Sequence, residues 1–78
     1  MNLIRWSYAG RGRVRAYFEE FPHSIVYLSR IRKKYFVRYV DWNQLDPVVE
    51  RSDLQGFEHS VNEALADEFT INKESSKF

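Results

Sequence analysis

The spacing of the apolar residues changes once along this chain, and that change constrains the fold more than any other feature. Through residue 42, apolar and other residues alternate in short runs, which is typical of β-strands. From residue 54, apolar residues recur at intervals of three and four, which predicts an amphipathic helix. Because the chain has only 78 residues, we expect one domain to contain both patterns. The sequence therefore predicts an α+β fold with the helix last.

Two alternating runs near the N-terminus predict a β-hairpin. Residues 3–8 place Ile4, Trp6 and Tyr8 on one side, and residues 13–18 alternate in the same way. The segment between the two runs contains two glycines, which accept the positive φ angles of tight turns.

A second hairpin is predicted at residues 25–31 and 35–42, because both runs are rich in β-branched and aromatic residues. The basic residues Arg32, Lys33 and Lys34 lie at the predicted turn. One set of alternating positions carries no charge, and we expect it to form the core face: Ile25, Tyr27, Ser29, Ile31, Tyr35, Val37 and Tyr39.

The helix is predicted from about residue 53 to residue 69, with a short extra strand before it at residues 48–49. Ser52 and Gln55 have the spacing of a capping box at the start of the helix. Its apolar stripe consists of Leu54, Phe57, Val61, Ala64, Leu65 and Phe69. We expect residues 1–72 to form a single compact domain and residues 73–78 to form a flexible tail.

These elements predict a mostly antiparallel four-stranded sheet of two hairpins, with one C-terminal amphipathic helix on one face. The alternative is a small SH3-like barrel with a terminal helix, because short curved strands can close in a chain of this size. The run from Tyr35 to Trp42, followed by Ser52, Asp53 and Leu54, loosely resembles the strand-and-loop core of Tudor-type barrels. No methyl-lysine cage can be placed on this sequence residue by residue, so we assign no family.

The charges divide the chain into a basic front and an acidic back. Residues 1–38 carry nine Lys or Arg and two acids, a balance of +7. Residues 39–78 carry three Lys or Arg and nine acids, a balance of −6, so the total is +1. This partition indicates either a binding face or an attraction between two parts of one fold.

The sequence shows few features of an enzyme, a metal site or a membrane-spanning segment. The chain has no cysteine, which excludes disulfides and thiolate metal ligands and is typical of a reducing compartment such as the cytoplasm. No run approaches the roughly 18 apolar residues of a membrane span. His23 and His59 lie in no nucleophile or metal motif, and His59 with Glu63 is interpreted as an exposed helical pair. We therefore expect a cytoplasmic protein that is not an enzyme and has no cofactor, metal or membrane partner.

A binding function is better supported, because arginines and aromatic residues share the predicted sheet face opposite the helix. Guanidinium groups attract phosphates and aromatic rings stack on bases, so nucleic acid, single-stranded or RNA, is the first expected partner. The candidate residues on the face are Arg5, Arg13, Arg15, Tyr17, Arg30, Phe36, Arg38 and Trp42, and those at the hairpin tip are Arg32, Lys33 and Lys34.

The alternative function is a protein-interaction module or inhibitor, of the kind that phages and mobile elements encode. It would use the same face, since aromatic residues and arginine are enriched in interface hot spots, or else the acidic helix. An open edge strand at residues 3–8 or 35–42 would also allow a homodimer.

Overall fold

The computed structural model describes residues 1–66 and places four strands before one helix. The strands are β1 (Leu3–Tyr8), β2 (Arg13–Phe18), β3 (Phe21–Ile31) and β4 (Lys34–Asp41), and the helix is α1 (Arg51–Ala64). Each strand pairs antiparallel with the next, so the sheet has the order β1-β2-β3-β4. The predicted α+β fold is confirmed. The barrel alternative is wrong, because β1 and β4 are the two edges of an open sheet.

The helix α1 covers one face of the sheet and closes the core. Phe57 is fully buried, and its ring centroid lies 4.6 Å from that of Phe18 and 5.3 Å from that of Phe21. Val61 and Leu65 continue the buried side of the helix toward its C-terminal end. The buried hydrophobic residues of the sheet are Val14, Ala16, Phe18, Phe21, Val26, Leu28 and Tyr35. Aromatic rings suit so small a core, because each one buries a large area.

The buried face of β3 is the opposite of the predicted one. Val26 and Leu28 are buried under α1, whereas Tyr27 is half-buried on the other side of the sheet. The prediction is wrong because neither face of residues 25–29 carries a charge, so the pattern of charges could not distinguish them.

A β-bulge divides β4 into two parts. Leu28 pairs with Val37 and Tyr27 pairs with Tyr39, which leaves Arg38 as an extra residue in β4. Val37 therefore packs against the core, as predicted, whereas Tyr39 lies on the face opposite α1. The bulge changes which residues face the core at a point that counting along the strand does not reveal.

The start of α1 differs from the prediction. The helix is capped at Glu50, whose backbone N–H donates to the carboxylate of Asp53 at 2.9 Å, and not at Ser52. Residues 67–69 of the predicted helix, the predicted domain boundary at residue 72 and the tail after it lie outside the described residues. Within the described part of the chain, no helix has the length and apolar content needed to cross a membrane.

The loop between β4 and α1 is tied to β3 by a buried carboxylate. Asp46 accepts hydrogen bonds from the backbone N–H of His23 at 3.0 Å and from Oγ of Ser24 at 2.5 Å. Oγ of Ser24 in turn accepts from the backbone N–H of Asn43 at 2.9 Å. Residues 48–49 were predicted as a strand, but they belong to this loop.

Side chains of α1 occupy the outer edge of β4. Oδ1 of Asn62 accepts from the backbone N–H of Tyr35 at 2.7 Å, and its Nδ2 donates to the carbonyl of Tyr35 at 3.0 Å. The carboxylate of Glu58 accepts from the backbone N–H of Val37 at 3.0 Å. These bonds take up backbone groups that an edge strand otherwise presents to another strand. The helix therefore both closes the core and limits pairing at one edge.

Candidate functional site

The sheet face opposite α1 collects most of the candidate residues, and we call it the open face. Residues that are cross-strand partners share a face, so the strand register identifies its members. They are Arg5, Ser7, Arg13, Arg15, Tyr17, Ile25, Tyr27, Ser29, Ile31, Lys34, Phe36, Arg38, Tyr39 and Asp41. Asp41 is the one acidic residue of the four strands, so this face has a strong excess of positive charge.

Aromatic rings on the open face are ordered by contacts with one another and with arginine. The rings of Tyr27 and Tyr39 are stacked, with centroids 4.6 Å apart and an interplanar angle of 14°. Tyr39 is 55% exposed, so part of this stack faces solvent. The guanidinium of Arg5 lies 4.2 Å from the ring centroid of Tyr17, a cation–π contact. Together with Phe36, which is 40% exposed, these rings offer surfaces on which planar groups can stack.

Two exposed arginines flank the tyrosine stack. Arg13 and Arg38 line a cavity of about 210 Å³ together with Tyr27 and Tyr39. The cavity spans β2, β3 and β4, because the bulge directs Arg38 to the same face as its neighbour Tyr39. Strict alternation would have placed these two residues on opposite faces. The bulge is therefore what brings positive charge beside the stacked rings.

Arg15 is more embedded in the sheet than the other arginines of the open face. Its side chain is half-buried, and Nη2 donates to the carbonyl of Tyr8 at 3.3 Å. Its Nε is buried and has no hydrogen-bond partner among the described residues. A substitution at Arg15 would therefore change packing as well as charge.

The β3–β4 turn carries the three predicted basic residues of the hairpin tip. Ile31 pairs with Lys34, so Arg32 and Lys33 form a two-residue turn. The φ angle of Arg32 is 61°, in the left-handed region that favours glycine. The three basic side chains are exposed and line a shallow depression with Phe36. The strained backbone thus holds a charged side chain at the tip where glycine would fit with less strain.

Two of the predicted site residues lie away from the open face. Arg30 pairs with Tyr35, whose side chain is buried beneath α1, so Arg30 belongs to the helix side of the sheet. Its predicted face is wrong for the same reason as the predicted core face of β3. Trp42 follows the bulge and turns toward the loop, where its Nε1–H donates to the carbonyl of Pro47 at 2.8 Å. Its predicted face is wrong because the bulge lies between it and the rest of the site.

A groove lies between β4 and α1, and Trp42 forms part of its wall. Its volume is about 630 Å³, and most of its lining is apolar: Val37, Val40, Trp42, Val48, Val49 and Leu54, with Arg38, Tyr39 and Glu58 beside them. Trp42 is 45% exposed and Val48 is 73% exposed. Exposed apolar surface of this kind is typical of contact with another protein.

Tyr27 and Tyr39 lie on the open face, although the alternation of the sequence predicts both in the core. A signal for Tyr27 was present in the residue types, because its neighbours Val26 and Leu28 are purely aliphatic while tyrosine has a hydroxyl that needs a polar partner. No comparable signal marks Tyr39, since its face depends on the bulge at Arg38.

The described residues bring together no group of three His, Cys, Asp or Glu side chains that could hold a metal ion. The predicted His59–Glu63 pair is confirmed, with 3.1 Å between Nε2 and Oε2 and both side chains exposed. The pKa of Glu20 lies below its ordinary value, because its carboxylate accepts from the backbone N–H of Asn2. This contact joins the N-terminus to the β2–β3 turn and is not part of the open face.

Comparisons with known proteins identify a family, but no individual curated protein or solved structure. A family model described as "Uncharacterised protein YuzH" matches residues 2–74, which is nearly the whole chain. Neither the curated proteins nor the solved structures contain a significant match. The family description names no activity, substrate or partner, so the function has to be argued from the geometry of the open face.

Proposed function

The chain belongs to the uncharacterised YuzH family, and we propose that it is a small non-enzymatic domain that binds nucleic acid, single-stranded or RNA, through the open face. The observation that carries this proposal is the alternation of charge and rings across three strands. Arg13 of β2, Tyr27 of β3 and the adjacent Arg38 and Tyr39 of β4 lie together on one accessible surface. Arginines supply attraction for phosphates, and the rings supply stacking surfaces for bases.

The electrostatic arrangement supports the same proposal. The open face and the hairpin tip together hold Arg5, Arg13, Arg15, Arg32, Lys33, Lys34 and Arg38, with Asp41 as the acid on this face. Several cations at the spacing of sheet strands are suited to a polyanion, because each phosphate contact releases condensed counterions. A folded domain with a net charge of only +1 has no general attraction for polyanions, so the local concentration of charge on this face is what matters.

Titration of labelled single-stranded DNA, RNA and duplex DNA at low and raised salt tests the proposal. We expect measurable affinity at low salt that falls linearly on a plot of log K against log salt concentration. Binding that is absent even at low salt would contradict the proposal and favour the protein alternative.

The double variant Arg13→Gln with Arg38→Gln tests whether the open face is the binding surface. Both side chains are exposed, so the fold should persist while affinity for a single strand at low salt falls by about tenfold or more and the salt slope falls by about 0.7 to 1.4, for one or two lost phosphate contacts. Fluorescence anisotropy with a labelled oligonucleotide measures both quantities.

Arg51→Glu is the matched control for that double variant. It also changes the net charge by −2, but it lies at the start of α1, where an acid is favourable. Equal losses of affinity in the two proteins would show that only net charge matters and would contradict a specific role of the open face.

The groove between β4 and α1 favours a second candidate function, the binding of a protein. Its apolar wall includes the exposed Trp42, a residue type enriched in interface hot spots. The acidic surface of the helix is smaller than the sequence predicted, because Glu58 is engaged with the backbone of Val37. If a protein partner is found, Trp42→Ala should weaken its binding and leave oligonucleotide binding unchanged, since Trp42 lies outside the open face.

A further inference from the structure

We propose that the cavity formed by Arg13, Tyr27, Arg38 and Tyr39 is a subsite for one unpaired nucleotide of a single strand. The base would stack on Tyr39, and the adjacent phosphate would lie between the two arginines. This inference rests on the proposed function and makes it specific. The cavity volume of about 210 Å³ is below the roughly 300–1,000 Å³ of sites that enclose a small molecule, so the cavity would hold part of a nucleotide while the rest of the strand stays outside it.

The stacking surface is in place before any ligand binds. The ring of Tyr39 lies against that of Tyr27 at 4.6 Å and 14°, and Tyr27 is half-buried in the sheet. The remaining surface of Tyr39 is accessible, since the residue is 55% exposed. A base that stacks there extends an existing stack, so little further side-chain freedom is lost on binding.

The arginines come to the stack from two different strands. Arg13 belongs to β2, and Arg38 is the extra residue of the bulge in β4. A phosphate between them would accept hydrogen bonds from two guanidinium groups, each of which has several donors in a fixed plane. None of the described residues that line the cavity is acidic, so nothing there repels the phosphate.

This geometry discriminates between single strands and duplexes. A duplex offers phosphates to Arg13 and Arg38, but its bases are stacked and paired inside the helix and do not reach Tyr39. Only a nucleotide with an unpaired base can contact both the ring of Tyr39 and the two arginines. The preference for single strands should therefore depend on the ring of Tyr39, whereas the attraction for any polyanion should depend on the arginines.

Tyr39→Leu and Tyr39→Phe separate these contributions. Leucine removes the ring and keeps an apolar side chain, so binding of a single-stranded oligonucleotide should weaken by about 5- to 150-fold. Phenylalanine keeps the ring, so its affinity should stay within about threefold of the wild type. Duplex binding should be the same in all three proteins. In nuclear magnetic resonance spectra of the wild type, the ring protons of Tyr39 should shift upfield on titration with a single strand.

Different failures have different meanings. If the wild type binds no oligonucleotide at low salt, the proposed function is wrong and the subsite with it. If single strands bind wild type and Tyr39→Leu equally, while Arg13→Gln with Arg38→Gln weakens binding, the function stands and the subsite is wrong. If Tyr39→Leu fails to fold, the Tyr39 ring-proton shift decides: its presence supports the subsite and its absence overturns it.

Discussion

Arg32 is a residue whose backbone and side chain have opposing effects on the protein. Its φ angle of 61° costs about 1–2 kcal/mol relative to the right-handed regions, a cost that glycine does not have. Glycine loses more conformational entropy on folding than arginine does, which offsets part of the stability gained by removing the strain. Arg32→Gly should therefore stabilise the domain by about 0.5–1 kcal/mol and weaken oligonucleotide binding, because a cation leaves the hairpin tip. Urea unfolding and anisotropy titrations measure the two effects.

Arg32→Lys is the matched control, since it keeps both the charge and the strained backbone. Its stability and affinity should resemble those of the wild type. If the glycine variant is more stable and binds equally well, Arg32 takes no part in binding and its strained backbone has no functional explanation.

At the scale of elements, α1 acts on the sheet through side-chain hydrogen bonds as well as through the core. Asn62→Ala removes the acceptor of the Tyr35 N–H and the donor to the Tyr35 carbonyl. We expect a loss of about 1–3 kcal/mol of stability and a steeper increase of self-association with concentration, because backbone groups of β4 become available to another strand. Urea unfolding and sedimentation velocity measure these quantities.

His59→Ala on the exposed side of the same helix is the control for Asn62→Ala. It removes a solvent-exposed pair that contributes at most about 0.5 kcal/mol. An Asn62→Ala protein that matched this control in both stability and self-association would contradict the role of Asn62 in limiting the pairing of β4 with another strand.

The elements themselves could be predicted from the sequence, because the period of the apolar residues depends on local geometry. The faces could be predicted only where charge marks them. In β2, Arg13 and Arg15 lie on the face opposite α1, as predicted, and the alternating residues Val14 and Ala16 are buried. In β3, both sides are free of charge until Arg30, and the assignment was wrong. The bulge depends on pairing between strands, which no local pattern of residues reports.

At the scale of the whole molecule, most arginines of the strands lie on one side of the sheet and the acids of α1 lie on the other. The arginines of the open face are separated by the sheet and its core from the acids of α1, such as Asp53 and Glu63. Exposed charges that are more than about 10 Å apart, the Debye length at 0.1 M salt, attract each other only weakly. The arrangement therefore favours contact with an external anion over attraction within the fold.

Salt should consequently act on binding far more than on stability. Raising the salt concentration from about 0.05 M to about 0.5 M should abolish oligonucleotide binding but move the thermal unfolding midpoint by no more than about 3 °C. Circular dichroism melting curves at several salt concentrations measure the midpoint. A large fall in the midpoint with salt would instead support the interpretation that the two charged parts hold the domain together.

Because Arg38 is the extra residue of the bulge, β4 can change or lose this residue without moving its neighbours to other faces. Substituting Arg38 removes one charge and leaves the remaining residues on their present faces. Deleting Arg38, the extra residue, would restore regular alternation and would leave Tyr39 paired with Tyr27 on the open face and Val40 toward the helix. A relative with a one-residue gap at this position would therefore lack the bulge and the charge but keep the stacked rings. At this one position of the strand, an alignment gap and a neutral substitution have the same consequence for the site.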